Sequence, residues 1–491
     1  MAKARRVPLA IRTGYDAESD LGLVPYDPDP EVAEQNAEQL NAALAAQWRG
    51  GEFQFRDGTQ GPILQPITFS AKTFYFAGEI RTTRRGGHTL IGGGGRGFAR
   101  GDEEFGTGVN ALGGAVTRLV RIDGGPDSGP ILRLKGSGMF CQNIEFYGRR
   151  TGANINRGSK TVSNATNAEP IVITTTAPHG YSTGDVINVF GVDGNSAANG
   201  EWTITVVSST TFSLDGSVGN DDYTGDGWVA DPLCQFGILL EGRESGPGGS
   251  VSTGKHVFIN FGIYGCERAI GFLDGYDDGE GFVQENQHAD ESLWLDGRIV
   301  GCKTAVWSVN YQAVWHTFER LVVGGAGGVN PTVVLDVVRG GLWRVNDLHL
   351  GPVPLTILRV WSFKDSPNNE WSPNTARFHI HFYRDGGGNS EQVFRLFEYH
   401  AVPNGGGQYP DAEFRVWDVR FTGSIAGQNA SQYDPLEFVR FHDAELNAVP
   451  CTNIWFDVYN LYTNQDFSGT PLAGYTWEQQ GPWWRLVKPL P

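Results

Sequence analysis

A short pattern recurs in the middle of the chain and narrows the fold more than any other feature. "GIYGCERAI" (262–270) and "RIVGCKTAV" (298–306) share apolar-x-Gly-Cys-x-x-Ala-apolar at a separation of 36 residues. "LVVGGAGGV" (321–329) repeats it 23 residues later with Gly325 in the cysteine place, and "EFYGRR" (145–150) reads as the first half of an earlier copy. One coil of a right-handed parallel β-helix takes about 20 to 25 residues plus any loop, and stacks equivalent residues in its lumen. Small Cys, Gly and Ala in register are what a tight lumen corner requires. A two-sheet sandwich would instead show hairpins with Asn-Gly or Asp-Gly turns, and these are few here.

The flanking sequence agrees. From Phe53 onward short apolar runs alternate with Gly-rich turns: "TFYFAGEI", "HTLIGGGG", "VTRLVRIDGG", "PILRLKGSG", "FCQNIEFYG". They are too short for helices and too regularly punctuated for disorder. The 68 glycines and 28 phenylalanines, against 2 methionines, favour strand and turn over helix. One helix is expected, Pro30 to Gln47, with Val32, Leu40 and Leu44 on its apolar stripe and Gly50-Gly51 as its stop. The class is therefore all-β with an N-terminal helical segment.

A formal net charge of -17 argues against general nucleic-acid or anionic-membrane binding, which needs clustered Lys and Arg. No apolar stretch reads as a secretory signal or a membrane span. Five cysteines (Cys141, Cys234, Cys266, Cys302, Cys451) show no C-x-x-C spacing and read as buried small hydrophobes.

The helix, followed by "FYFAGEIRTTRRGGHTLIGGGGRG" and "LKGSGMFCQNIEFYGR", resembles the opening of pectate-lyase-like β-helix proteins, a superfamily that includes phage tailspikes and secreted polysaccharide lyases. The resemblance covers roughly residues 30 to 150 and 234 to 360. It implies a polysaccharide partner and a place on a virion, in a phage tail, or otherwise outside the cell. In the tailspike manner it also implies a homotrimer and contact with other virion proteins.

About 80 residues interrupt the coils between Arg150 and Cys234. "IVITTT", "DVINVFGV", "EWTITVVSS", "TTFSLDG" and "DGWVA" give five strands, enough for a small barrel or sandwich. The segments "HGYSTGD", "NGEWTITVV" and "TTFSLDGS" resemble short β modules of phage tail proteins. No acid, base or metal set clusters there, so chemistry is expected on the coils. The expected organisation is an N-terminal segment (1–52), a first β-helix part (53–150), the insertion (151–233), a second β-helix part (234–360) and a β-rich C-terminal region (361–491) in which rungs are hard to order. Three tryptophans in "GYTWEQQGPWWRLVKPLP" suit a subunit interface, sugar stacking or a cap over the lumen.

The densest polar segment is "LDGYDDGEGFVQENQHADESLWLDG" (273–297). It supplies Asp277, Asp278, Glu280, His288, Asp290 and Glu291, with Asn310, Tyr311, Gln312, His316 and Glu319 on the next coil. Rungs stack about 4.8 Å apart, so the two segments can share a face. Three chemistries fit. Glycoside hydrolysis needs two carboxyls, about 5 to 5.5 Å or 6.5 to 9.5 Å apart, and Asp290 or Glu291 against Glu319 is the candidate pair. Lyase chemistry on a uronic acid could use His288, Tyr311 or His316 as base, with calcium held by Asp277, Asp278 and Glu280. The third option is an acidic loop without turnover. Asn310, Gln312, Trp294 and Trp315 are the candidate substrate contacts, Asn310 and Gln312 reading equally as amide-ladder residues. The acidic balance leans from lyase towards hydrolase or binder.

Overall fold

The computed structural model describes residues 14–47, 52–83, 86–94, 116–124, 128–148, 160–241, 253–273, 276–277, 282–283, 289–310, 313–325, 331–338, 340–351, 355–361, 377–384, 394–400, 418–425, 439–442, 456–462, 476–480 and 483–487. Its strands form three parallel stacks wound as a β-helix. On the first face Thr89–Ile91, Phe140–Gln142, Val257–Ile259, Leu293–Leu295 and Thr317–Glu319 lie on successive rungs in parallel register. On the second face, Ile144–Tyr147 is followed by Gly262–Tyr264, Arg298–Val300 and Val322–Gly324. These two faces join in one sheet of 19 strands, and the third face is a separate sheet of 9.

Each three-residue strand of the first face points its middle side chain into the lumen, as strand alternation requires. Phe258, Trp294 and Phe318 are fully buried there and stack as a column, with ring centroids 4.5 Å and 6.0 Å apart. The chain then turns on one residue in the left-handed region: Asn143, Asn260, Asp296 and Arg320 all have φ between 51° and 58°. Asn and Asp tolerate that conformation best, and the stacked amides of Asn260 and Asn143 join by a 2.7 Å hydrogen bond. A second left-handed column, Lys255, Glu291, Trp315 and Leu342, precedes the same strands.

The cysteine repeat is the corner between the second and third faces. Cys234 pairs with Cys266 in register, and the same offset carries Cys266 onto Cys302, so three buried free thiols stack. Burial raises the Cys266 thiol well above its ordinary range. Gly148 completes the corner on the preceding rung, where a Cβ would lie 2.5 Å from that of Cys234. The third copy is offset by 24 residues rather than 23: Arg298 pairs with Val322 and Val300 with Gly324. Gly325 therefore aligns with Gly301 and not with Cys302.

The helix Pro30–Ala46 forms as expected, with the Asp29 side chain accepting the Glu31 N–H. Its buried stripe runs through Ala33, Ala37, Leu40, Ala43 and Leu44, while Val32 sits at the stripe's edge, half-buried. Asn36 donates to the Tyr75 and Val24 carbonyls and Asn41 to the Glu79 carbonyl, which fastens the helix to the first coil.

The insertion is a closed six-strand barrel built on its own core around Ile173, Ile187, Ile204, Phe212 and Leu214. The strand not foreseen in the sequence, Lys160–Ala165, closes it by pairing with Val172–Thr175 and Trp228–Ala230.

Parallel register continues beyond residue 360. Arg377–Arg384 lies on Trp343–Leu350, followed by Asp418–Ile425 and Phe456–Tyr462. The Trp-rich end, Thr476–Gln480 and Trp483–Val487, is an antiparallel hairpin set against that last strand.

Candidate functional site

The polar groups expected to meet on one face are separated. Glu319 pairs with Leu295, whereas Glu291 lies four residues before Leu295 on the same rung. Glu291 sits at the left-handed corner before that strand, its N–H donating to the Val314 carbonyl at 3.0 Å, whereas Glu319 ends the strand of the next rung, so the expected carboxylate pair does not form. Glu291 faces Lys255 at 3.6 Å, and Glu319 is held by Arg320 at 2.6 Å. Asp290 is tucked beneath the Gly254 backbone.

His316 and Trp294 face the lumen. His316 is fully buried against Phe272, with ring centroids 4.3 Å apart, and Trp294 stands in the aromatic column, so neither is open to a polymer. Asn310 is buried and donates to the Leu273 carbonyl, a structural role rather than a substrate contact. Trp315, 57% exposed, is the one expected platform that stands on the surface. His288, Tyr311, Gln312, Asp278 and Glu280 lie outside the described residues, and of Asp277 only the backbone is described. Among the described residues no group of three His, Cys, Asp or Glu side chains could hold a metal ion.

A carboxylate pair does form on the third face. Here Cys266–Leu273, Thr304–Ser308, Val333–Val337, Leu355–Trp361 and Phe394–His400 stack in parallel. Gly271, Trp307, Asp336, Arg359 and Glu398 share one outward column. Arg359 sits between the acids: its Nη1 is 4.0 Å from an Asp336 oxygen and its Nε 3.6 Å from a Glu398 oxygen. Trp361 donates its indole N–H to Asp336 at 2.6 Å, and Thr356 donates its hydroxyl to Glu398 at 3.2 Å. Both acid side chains are largely covered, at 13% and 10% exposure.

Burial raises the Asp336 carboxyl above the usual range, and the Glu398 charge adds to this, against the lowering pull of Arg359, Trp361 and Arg268. Two carboxyls two rungs apart, about 10 Å at the backbone, with one biased towards its protonated form, have the elements of acid–base work on a glycosidic bond.

Upstream on the same face, the Arg268 guanidinium lies over Trp307 at 4.3 Å and over Phe236 at 5.4 Å. Gly271 makes this possible, since a Cβ there would come within 2.7 Å of the Phe236 ring.

A second polar cluster lies on the second face. Glu145 accepts from Tyr264 at 3.0 Å and Tyr147 at 3.1 Å, and pairs with Arg118 at 3.3 Å. The two tyrosine rings stack at 4.4 Å. The carboxylate occupies the Arg118 cation, and the cluster anchors the strand from which the barrel departs.

No family model matches the chain, and no curated protein matches it. Among solved structures it is similar to the A-module of mannuronan C-5 epimerase AlgE6 from Azotobacter vinelandii, at 12% identity over 91% of this chain and 98% of that one, with a TM-score of 0.34. It is also similar to the Gp54 tailspike of Acinetobacter baumannii bacteriophage AP22, solved in complex with A. baumannii capsular saccharide, at 7% identity, covering 83% and 74%, with a TM-score of 0.18. A third is the tailspike gp49 of Pseudomonas phage LKA1, at 11% identity, covering 92% and 82%, with a TM-score of 0.15. The β-helix itself is read from this chain's own strand register.

Proposed function

We propose that the chain binds a surface polysaccharide along its third face and hydrolyses it there as an endo-glycosidase, in the manner of a tailspike. The observation that carries this reading is the Asp336–Arg359–Glu398 column, with Trp361 on Asp336. Asp336, its carboxyl raised by burial, is the acid that donates a proton to the leaving oxygen. Glu398 then activates water from the opposite side, the arrangement that wide carboxyl spacing favours. Arg359 keeps the two acids apart in charge and position. Trp307 offers a sugar-stacking surface one rung away.

The test is depolymerisation of polysaccharide, followed by new reducing ends. Asp336→Asn and Glu398→Gln should each lower the rate at least 100-fold, the lower end of what a positioned acid or base contributes, while the far-ultraviolet spectrum and melting temperature are kept. Normal turnover by both well-folded variants would end the assignment. An ultraviolet band from unsaturated sugar would replace hydrolysis with elimination.

The working form in this proposal is a homotrimer on a virion. What supports it is the outward row of the first face, where Phe140, Val257, Ile259, Leu293 and Leu295 are half-buried apolar neighbours on three rungs.

A further inference from the structure

We propose that Arg268 is an anion receptor, and that the polysaccharide carries a carboxylate which this guanidinium reads beside the cleavage column. The inference rests on the hydrolase reading above and adds the substrate class.

The guanidiniums of the third face do not share one environment. Arg133 is paired with Glu79 at 2.7 Å and with Glu241, and Arg359 lies between Asp336 and Glu398. Arg268 has no ion pair or hydrogen bond among the described residues; its contacts are the faces of Trp307 and Phe236. Glu267 and Asp336 act on it only through longer-range attraction. A bare surface arginine would be solvated and free to swing. This one is half-buried, its guanidinium carbon held 4.3 Å from the Trp307 ring centroid and 5.4 Å from that of Phe236, with no guanidinium N–H bonded among the described residues. Burial lowers the stability of its charged form, so an arriving anion would restore what desolvation removed.

A planar guanidinium with a free edge matches a carboxylate through two parallel N–H···O bonds, which a lysine cannot reproduce. Position strengthens the case. Arg268 starts three residues ahead of Gly271 on the rung before Trp307, and its side chain reaches over the Trp307 ring, whose strand neighbour in the column is Asp336, so the guanidinium is carried to the column one rung from the acid's own. An extended glycan lying on the column would place an acidic sugar at Arg268 while its glycosidic bond lay between Asp336 and Glu398. The net charge of -17 points towards neutral glycans only if charge is averaged over the surface. The local field at Arg268 is what an incoming uronate meets.

The experiment uses the full chain and a panel of bacterial capsular polysaccharides, neutral and uronate-bearing, with each acidic polymer also in its carboxyl-reduced form. Retention in affinity electrophoresis and cleavage are both read. The expected result is retention of a uronate-bearing polymer, at least tenfold weaker for its carboxyl-reduced form and for Arg268→Gln, and declining as salt is raised. Arg268→Lys, which keeps the charge and loses the fork, should recover only part of the loss; it decides the matter if Arg268→Gln does not fold. Equal binding of native and carboxyl-reduced polymer, or cleavage confined to neutral polymers, overturns the anion assignment and leaves the hydrolase standing. If no polymer is retained or cleaved, the hydrolase reading falls and this inference with it.

Discussion

Two imidazoles show how the lumen sets residue behaviour. His256 and His316 are fully buried, and desolvation lowers each to about 3, from an ordinary value of 6.5. The unfolded chain takes up these protons near pH 6.5 while the folded chain refuses them. Their stabilising contribution is therefore present above pH 6.5 and lost as pH falls towards 3, by about 1.4 kcal/mol per pH unit for each ring. Thermal melts across that window should show the decline, and His316→Phe should remove about half of it, His256 keeping the rest. Asp336 behaves in the opposite sense. Its raised carboxyl should place the alkaline limb of the hydrolysis rate above the ordinary carboxylate range, and a limb at that ordinary range would count against Asp336 as the acid. Gly271→Ala should cost about 1–3 kcal/mol by crowding the Phe236 ring, and should weaken acidic polymers selectively because that ring supports Arg268.

At the scale of elements, the two coil positions that flank the insertion lie next to each other. The insertion leaves the corner at Gly148 and returns at Cys234, and a side chain on Gly148 would touch Cys234. Replacing residues 150–232 by a short Gly-Ser bridge should therefore preserve the β-helix, with its main calorimetric transition retained and a separate barrel transition lost. The coils were legible because the Gly-Cys corner repeats in sequence, and the barrel because polar turns separate its strands. Its sixth strand, "KTVSNA", was hidden by a polar composition that only two neighbours stabilise. The site was written in a weaker code. "AIGF", "AVWS", "VLDV", "ILRV" and "LFEY" are one four-residue rung repeated, and their third positions are Gly271, Trp307, Asp336, Arg359 and Glu398. Aligning those short runs would have found the column. The acidic loop drew attention instead, because residues dense in sequence need not be near one another when register decides proximity.

For the whole molecule, association is the open side of the proposal. Leu293→Asp together with Ile259→Asp would put charge into the apolar outer row of the first face while leaving the lumen untouched. Light scattering should then report a monomer in place of a trimer; a wild type already monomeric at high concentration would remove the trimer from the reading. The stack also has two ends, and a parallel stack of strands is the geometry by which amyloid recruits its next molecule. Here the helix Pro30–Ala46 is fastened to the first coil, and the hairpin of Thr476–Gln480 and Trp483–Val487 reverses strand polarity at the last. In the sheet of the first two faces, the last parallel strand thus meets an antiparallel partner rather than a bare parallel edge. In that sheet, a fold that is itself a short, one-chain fibril meets a polarity reversal at its last rung, which disfavours lengthening there and leaves copies of it to meet side by side.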